Sequence, residues 1–237
     1  MSKEAKRIAV ILFGGKGLRF GSPLPKQFVP IGDRPLLFYA TKVLDESPFV
    51  EDIYVVSHPE YVDQMLSFIR QYRFKKVRAV LSGGDTRMES VFKALKFLKE
   101  GEKASDKDLI LIQDGDRPSL NDRLIQRNYE VAMDFGGAVT AIPSTDSVFH
   151  SEDADRVKNY LPRKQIFLAQ TPQTFPLGNL YRAYKKVFKD EEKEKYTDDA
   201  SIYLEAGYRV HIVEGSVKNF KITTKRDADM FLLEGKR

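Results

Sequence analysis

Short apolar runs rich in β-branched residues alternate with amphipathic stretches along most of this chain. That alternation constrains the fold more than any other feature. Arg7–Phe13 is a nearly continuous apolar run followed by glycines, the pattern of a central parallel strand buried on both faces. A helix is expected over Pro35–Asp45, a strand over Asp52–Ser57, a helix over Glu60–Tyr72 and a strand over Val77–Leu81. Arg87–Lys99 reads as a helix with Val91, Leu95 and Leu98 on one face. Asp108–Ile112, Asp122–Phe135 and Gly137–Ile142 continue as strand, helix and strand. This rhythm implies an α/β fold, a mostly parallel sheet with helices on both faces. Such sheets bind ligands at the carboxyl ends of their strands. Gly14–Lys26, Gly83–Arg87 and Asp114–Arg117 should therefore converge on one crevice.

From Ser144 to Pro162 the rhythm breaks. The stretch is polar and has no clear core face, so it reads as a loop or as an arm that packs on something else. A strand-like run over Phe167–Phe175, a helix near Leu177–Phe188 and a charged loop over Lys189–Tyr196 follow. Thr197 is expected to cap a helix that ends at Ala206, with Ala200 at its third position and hence no capping box. Strands over Tyr208–Val213 and Asn219–Thr223 and a helix over Arg226–Glu234 complete the chain, which reads as a single domain over 1–237.

Composition narrows the chemistry. There is no cysteine, so disulfides, thiol nucleophiles and Cys-ligated metals are excluded. His58, His150 and His211 lie far apart, which gives little support to a His-based zinc site. The first apolar run, Ile8–Phe13, is far shorter than the ~20 residues of a membrane helix. The expected setting is soluble and cytoplasmic, away from membranes. The net charge of +5 is mild and spread out, and suits an acidic small molecule as well as nucleic acid. No aromatic-basic platform supports a nucleic-acid partner.

Three segments carry the chemistry. In the first, Gly14, Gly15 and Gly17 follow the opening strand, and Lys16, Arg19 and Lys26 follow closely. Glycines let the backbone approach a bulky anion, and this much positive charge suits a triphosphate. The spacing matches neither the dinucleotide fingerprint nor the P-loop, because Phe20 stands where the third glycine belongs and Gly17 follows Lys16. In the second, Gly83-Gly84-Asp85 and Ser90 border a helix; they fit a base or ribose contact, or a turn with Asp85 as helix cap. In the third, Gln113-Asp-Gly-Asp-Arg-Pro118 ends an apolar strand. Asp114 is placed to hold Mg²⁺ on a nucleotide phosphate, and Arg117 to clamp a phosphate or to pair with Asp114. Lys221, in a strand-like run, fits a solvated side chain when read alone.

Together these segments resemble the cytidylyltransferases of the methylerythritol phosphate and ribitol phosphate pathways. The resemblance spans Ile8 to about Met230. It rests on Gly14-Gly-x-Gly-x-Arg19, Pro25-Lys-Gln27, Gly83-Gly-Asp85, Asp114-x-x-Arg-Pro118, Thr171-Pro-Gln173, Thr197-Asp198 and Asn219-x-Lys-Ile-Thr223. It implies a Rossmann-like fold with a protruding dimerisation arm at 144–162, and hence a homodimer. It also implies Mg²⁺-dependent joining of CTP to a polyol phosphate with release of pyrophosphate. Carried over by position, Arg19, Lys26 and Lys221 would be catalytic. Phe13, Gly14, Gly15, Gly17, Gly84, Asp85 and Ser90 would bind the nucleotide. Asp114, Arg117, Ser147 and Arg163 would bind the sugar phosphate, Ser147 and Arg163 in the partner's site. The acceptor favoured is 2-C-methyl-D-erythritol 4-phosphate, for isoprenoid precursors. Ribitol 5-phosphate, for cell-wall polyols, and a non-catalytic nucleotide-binding module are the alternatives.

The chain departs from the family pattern at Gln113, where His is usual, and at Asp116, where a small residue is usual. Asp116 has three open readings: a metal ligand, a partner of Arg117, or a charge that weakens substrate binding. Phe13 stands where a small residue would border the base pocket.

Overall fold

The computed structural model describes residues 4–15, 20–22, 24–188 and 195–234. In chain order these form β1 (Arg7–Phe13), the short strands β2 (Pro30–Ile31) and β3 (Arg34–Pro35), α1 (Leu36–Glu46), β4 (Asp52–Ser57), α2 (Val62–Tyr72), β5 (Val77–Ser82) and α3 (Arg87–Lys96). Then come β6 (Leu109–Asp114), α4 (Asp122–Phe135), β7 (Ala138–Pro143), β8 (Val148–His150), β9 (Asn159–Leu161), β10 (Phe167–Pro176), α5 (Leu177–Val187), α6 (Asp199–Glu205), β11 (His211–Glu214) and α7 (Lys225–Glu234).

The main sheet has seven strands in the order β11-β7-β10-β6-β1-β4-β5. All neighbours run parallel except β10, which is antiparallel to both β6 and β7. Alternation along β1 shows why the strand had to be apolar from Ile8 onward. Ala9, Ile11 and Phe13 pack with α1, α2 and α4 on one face, while Ile8 and Val10 pack with α3, α5 and α6 on the other. A side chain on either face leaves water, so every position carries apolar weight. A smaller core of Phe20, Ile31, Leu36, Ile222 and Ala228 ties α7 to the β2–β3 ribbon.

Several expectations are corrected. The polar stretch 144–162 contains a two-stranded hairpin, β8 on β9, with Phe149 and Tyr160 half or more exposed. Asn219–Thr223 is not a strand; it is an irregular segment whose Ile222 N–H donates to the Asp116 carbonyl at 2.8 Å. The strand expected from Tyr208 begins at His211. The cap of α6 is Asp198, not Thr197, and it forms a capping box with Ser201. A second carboxylate oxygen of Asp198 accepts from Gln173 Nε2 at 2.8 Å. This tertiary bond favours Asp198 over its neighbour. The charged loop expected over 189–196 lies mostly outside the described residues.

Candidate active site

The carboxyl ends of β1, β4, β5 and β6 open onto a crevice of about 390 Å³. Gly14 and Gly15 border it after β1, His58 after β4, Gly84–Arg87 after β5, and Asp114 and Asp116 at the end of β6, with Lys221 reaching in from the irregular segment. A Cβ on Gly14 would sit 3.3 Å from Ser90 Oγ, and one on Gly84 would sit 2.4 Å from Glu89 Cβ. At Gly84 the backbone is packed too closely for a larger residue, at Gly14 the fit is tight, and at Gly15 a Cβ would meet nothing within 4 Å. Ser90 Oγ accepts from the Gly84 N–H at 3.0 Å, which pins the β5 loop to α3. That helix is capped by Thr86, whose hydroxyl accepts from the Glu89 N–H at 3.1 Å, so the alternative of Asp85 as helix cap is not realised; Asp85 is exposed at the rim of the crevice.

Charges alternate through the crevice wall. Buried Tyr184 donates to Asp199 at 2.5 Å, and Asp199 accepts from Arg87 at 2.7 Å. Arg87 Nε lies 3.2 Å from Asp114 Oδ1, and Lys221 Nζ lies 3.0 Å from Asp114 Oδ2. Lys221 is also 3.6 Å from Asp116 Oδ1, and Lys26 donates to Asp116 Oδ2 at 2.5 Å. Lys26 further donates to the Ile222 carbonyl at 2.8 Å. Five elements far apart in sequence thus meet in one ion chain. Burial pushes the Asp114 carboxyl up, but Arg87, Lys221 and Arg117 outweigh it and hold the group down at about 2. Burial lowers the Arg87 guanidinium, yet Asp199 and Asp114 raise it well above its ordinary value. Both groups are charged at any ordinary pH.

A second cavity of about 210 Å³ lies beside the first, and the two share Arg87, Asp114 and Lys221 as a common wall. Arg117, Gln170, Thr171, Gln173, Thr197 and Asp198 also line it. The Thr171 hydroxyl accepts the Asp114 N–H at 3.1 Å and so fixes the strand end. Arg117 does not pair with Asp114 or Asp116; its Nη1 donates to the Asn219 carbonyl at 2.7 Å and its Nε is buried without a partner.

Most sequence-predicted residues meet here: Gly14, Gly15, Gly84, Asp85, Ser90, Asp114 and Lys221 around the crevice, Lys26 behind Asp116, and Arg117 in the adjoining cavity. Gly17 and Arg19, with Lys16, lie outside the described residues. Ser147 and Arg163 do not enter either cavity; both are exposed near the arm, where Arg163 Nη1 donates to the Thr145 carbonyl at 3.2 Å. Phe13 was expected beside the base. Its ring instead lies in the core, 2.1 Å from where a Gly115 Cβ would stand. The large ring and the missing side chain are complementary. Thr86 and Arg87 lie in the Gly83–Arg87 segment expected at the crevice but were given no role of their own, and His58 was not singled out, although it stands directly after a strand at the same sheet end, the signal that located the others.

Comparison with known proteins fits this geometry. The family described as 2-C-methyl-D-erythritol 4-phosphate cytidylyltransferase matches residues 7–233. A protein of that name from Thermosipho melanesiensis is 39% identical over 220 residues, 93% of each chain. A ribitol-5-phosphate cytidylyltransferase from Lacticaseibacillus paracasei is 30% identical over 226 residues, 94% of this chain and 95% of the relative. The crystal structure of the Francisella tularensis 2-C-methyl-D-erythritol 4-phosphate cytidylyltransferase superposes with a TM-score of 0.81 at 27% identity, covering 97% of this chain and 100% of that one.

Proposed function

Because the chain belongs to the 2-C-methyl-D-erythritol 4-phosphate cytidylyltransferase family, we propose that it joins CTP to 2-C-methyl-D-erythritol 4-phosphate and releases pyrophosphate. One observation carries the reading: two cavities share a wall of Arg87, Asp114 and Lys221. A reaction between two phosphates needs such an arrangement, with one reactant on each side of a common set of charges. The larger cavity, bordered by glycine loops, takes the nucleotide. The smaller one, lined by Arg117, by the polar residues of β10 and by the start of α6, takes the polyol phosphate.

The chemistry follows from charge. An oxygen of the acceptor phosphate attacks the α-phosphorus of CTP, the bond from that phosphorus to the β-phosphate oxygen breaks, and pyrophosphate leaves with the electron pair. The attacking group is already an anion, so no general base is required. Lys26 and Lys221 neutralise charge as it builds on the α- and β-phosphates, and the two cavities hold the reactants in line. Arg87, anchored by buried Asp199, keeps Asp114 ionised and oriented. Asp114 would hold Mg²⁺, which supplies further charge neutralisation when bound. Among the described residues no three acidic or histidine side chains cluster as ligands, so an ion on Asp114 would need phosphate oxygens and waters to complete its shell.

We further infer a homodimer joined through the 148–161 hairpin. A lone two-stranded ribbon is marginal in water, and this one exposes Phe149, Val157 and Tyr160. Ser147 and Arg163 would then serve the partner's second cavity. No described helix is long and apolar enough to cross a membrane. Ribitol 5-phosphate is the competing acceptor, favoured by the ribitol relative's similarity over nearly the whole chain. Pyrophosphate release from CTP and Mg²⁺, measured with each acceptor separately, tests the reading. Release with the methylerythritol phosphate alone supports it, release with ribitol phosphate alone replaces the acceptor, and release with neither overturns the transferase.

A further inference from the structure

Asp116 occupies an unusual place in the ion chain, because one carboxylate faces both lysines that the reaction needs. Its Oδ2 accepts from Lys26 at 2.5 Å, and its Oδ1 lies 3.6 Å from Lys221 with no hydrogen-bond partner. The side chain is 14% exposed, as is that of Lys26. The residue cannot swing away freely, because its carbonyl accepts the Ile222 N–H at 2.8 Å while the Ile222 carbonyl accepts from Lys26 at 2.8 Å. Asp116, Ile222 and Lys26 therefore form a closed ring of three hydrogen bonds at the crevice floor. Asp114 already balances Arg87 and Lys221, so orientation of Lys221 does not require a second carboxylate.

We propose that Asp116 is a resident counter-anion that stands in for phosphate at Lys26 and Lys221 and weakens the hold of this site on polyphosphates. Without a ligand it accepts from the Lys26 ammonium and lies 3.6 Å from that of Lys221. When a polyphosphate binds, the lysines are shared with it, and the fixed negative charge a few ångströms away repels it. Nucleotide entry is thereby weakened and pyrophosphate departure favoured. A released anion carries charge that two unopposed lysines would otherwise retain. Asp116 acts through the lysines and is a positioning residue. The assignment of the lysines to phosphate rests on the proposed function; the test below reads the anion directly and needs no acceptor.

Asp116→Asn keeps the shape and removes the charge; Asp116→Ala removes both. Titration calorimetry with pyrophosphate in the presence of a metal chelator reads the anion alone. About tenfold tighter binding is expected in both variants, with a steeper loss of affinity as salt rises. In steady state, KM for CTP and the inhibition constant of pyrophosphate should both fall, while kcat stays level or falls. Thermal unfolding without ligand should shift down in both variants, and pyrophosphate should raise it more than in the parent. A purely structural Asp116 gives the downward shift without tighter binding, and that result overturns the proposal. Weaker pyrophosphate binding in folded Asp116→Asn and Asp116→Ala overturns it as well. If Asp116→Asn does not fold, Asp116→Ala is read alone by the same criteria. A parent protein that binds pyrophosphate but transfers to neither acceptor refutes the transferase and leaves this proposal to be judged by the two variants.

Discussion

The two ends of the central strands carry the same ingredients and use them differently. At the amino end, Asp52 accepts from Lys6 at 3.1 Å and from Arg78 at 2.5 Å. At the carboxyl end, Asp114 sits between Arg87 and Lys221. Burial pushes both carboxyls up, and the paired cations outweigh it and bring both down. A groove of about 540 Å³ lies over the amino end as well, so neither an open volume nor a buried aspartate singles out a site. The cations differ. Lys6 and Arg78 are 42% and 56% exposed, whereas Lys26 and Arg87 are 14% and 29% exposed, with Lys221, at 39%, as open as Lys6. At the amino end each charge keeps its water. At the carboxyl end charges are drawn into the wall, an arrangement that is costly unless a ligand or partner makes use of it. Buried atoms without partners occur there at Gln113, Asp116 and Arg117, and also at Tyr129 near the amino end. Desolvated cations beside a glycine-lined opening are the mark of function.

The sharpest way to break this contrast is to remove one cation from each end. Lys26→Ala or Lys221→Ala should lower kcat for pyrophosphate release by ~10²–10³-fold. Lys6→Ala should leave turnover unchanged and shift stability by less than about 1 kcal/mol. Equal losses at both ends would erase the distinction. Next in size is Arg87→Met, which strands the fully buried Asp199 and should lower the urea unfolding free energy by ~3–5 kcal/mol; a loss under ~1 kcal/mol would show that Arg87 is not the group that compensates Asp199. Gly115→Ala drives a methyl into the Phe13 ring and should destabilise by ~1–3 kcal/mol. Phe13→Leu in the same chain should recover part of that, and additivity in the double variant would deny the complementarity.

The smallest effect is in pH. Asp114 is held at about 2, below its ordinary 3.8. Its stabilising contribution is therefore complete above the ordinary carboxylate value and is lost as pH falls through about 2. Unfolding free energies between pH 5 and pH 2 should fall less steeply in Asp114→Asn than in the parent, measured as ~1 kcal/mol or more over that range.

Strands buried on both faces were legible because no polar residue interrupts them. Asp52–Ser57 and the helix Asp122–Phe135 have the same limits in sequence and structure. The sheet end that gathers the site followed from the rhythm alone. What was hidden lies in pairs remote in sequence. Nothing near Lys26 indicates that its partner is Asp116, 90 residues on. Asn219–Thr223 alternates like a strand, but Ile222 is buried in the small core with α7 and Lys221 turns to Asp114. Tertiary contacts, not a ladder, account for that pattern. Phe13 misled because its position relative to the crevice is set by an absent side chain at Gly115, which only packing reveals.

The bond from Lys26 to the Ile222 carbonyl closes a span of 196 residues. During synthesis the first half of the sheet can gather well before that span exists. Until Lys221 and Ile222 emerge, Asp114 lacks one of its two cations and Lys26 lacks a carbonyl. The catalytic floor is thus completed late, with only α7 still to follow, and a growing chain stalled short of residue 221 can hold much of its core without the ability to react.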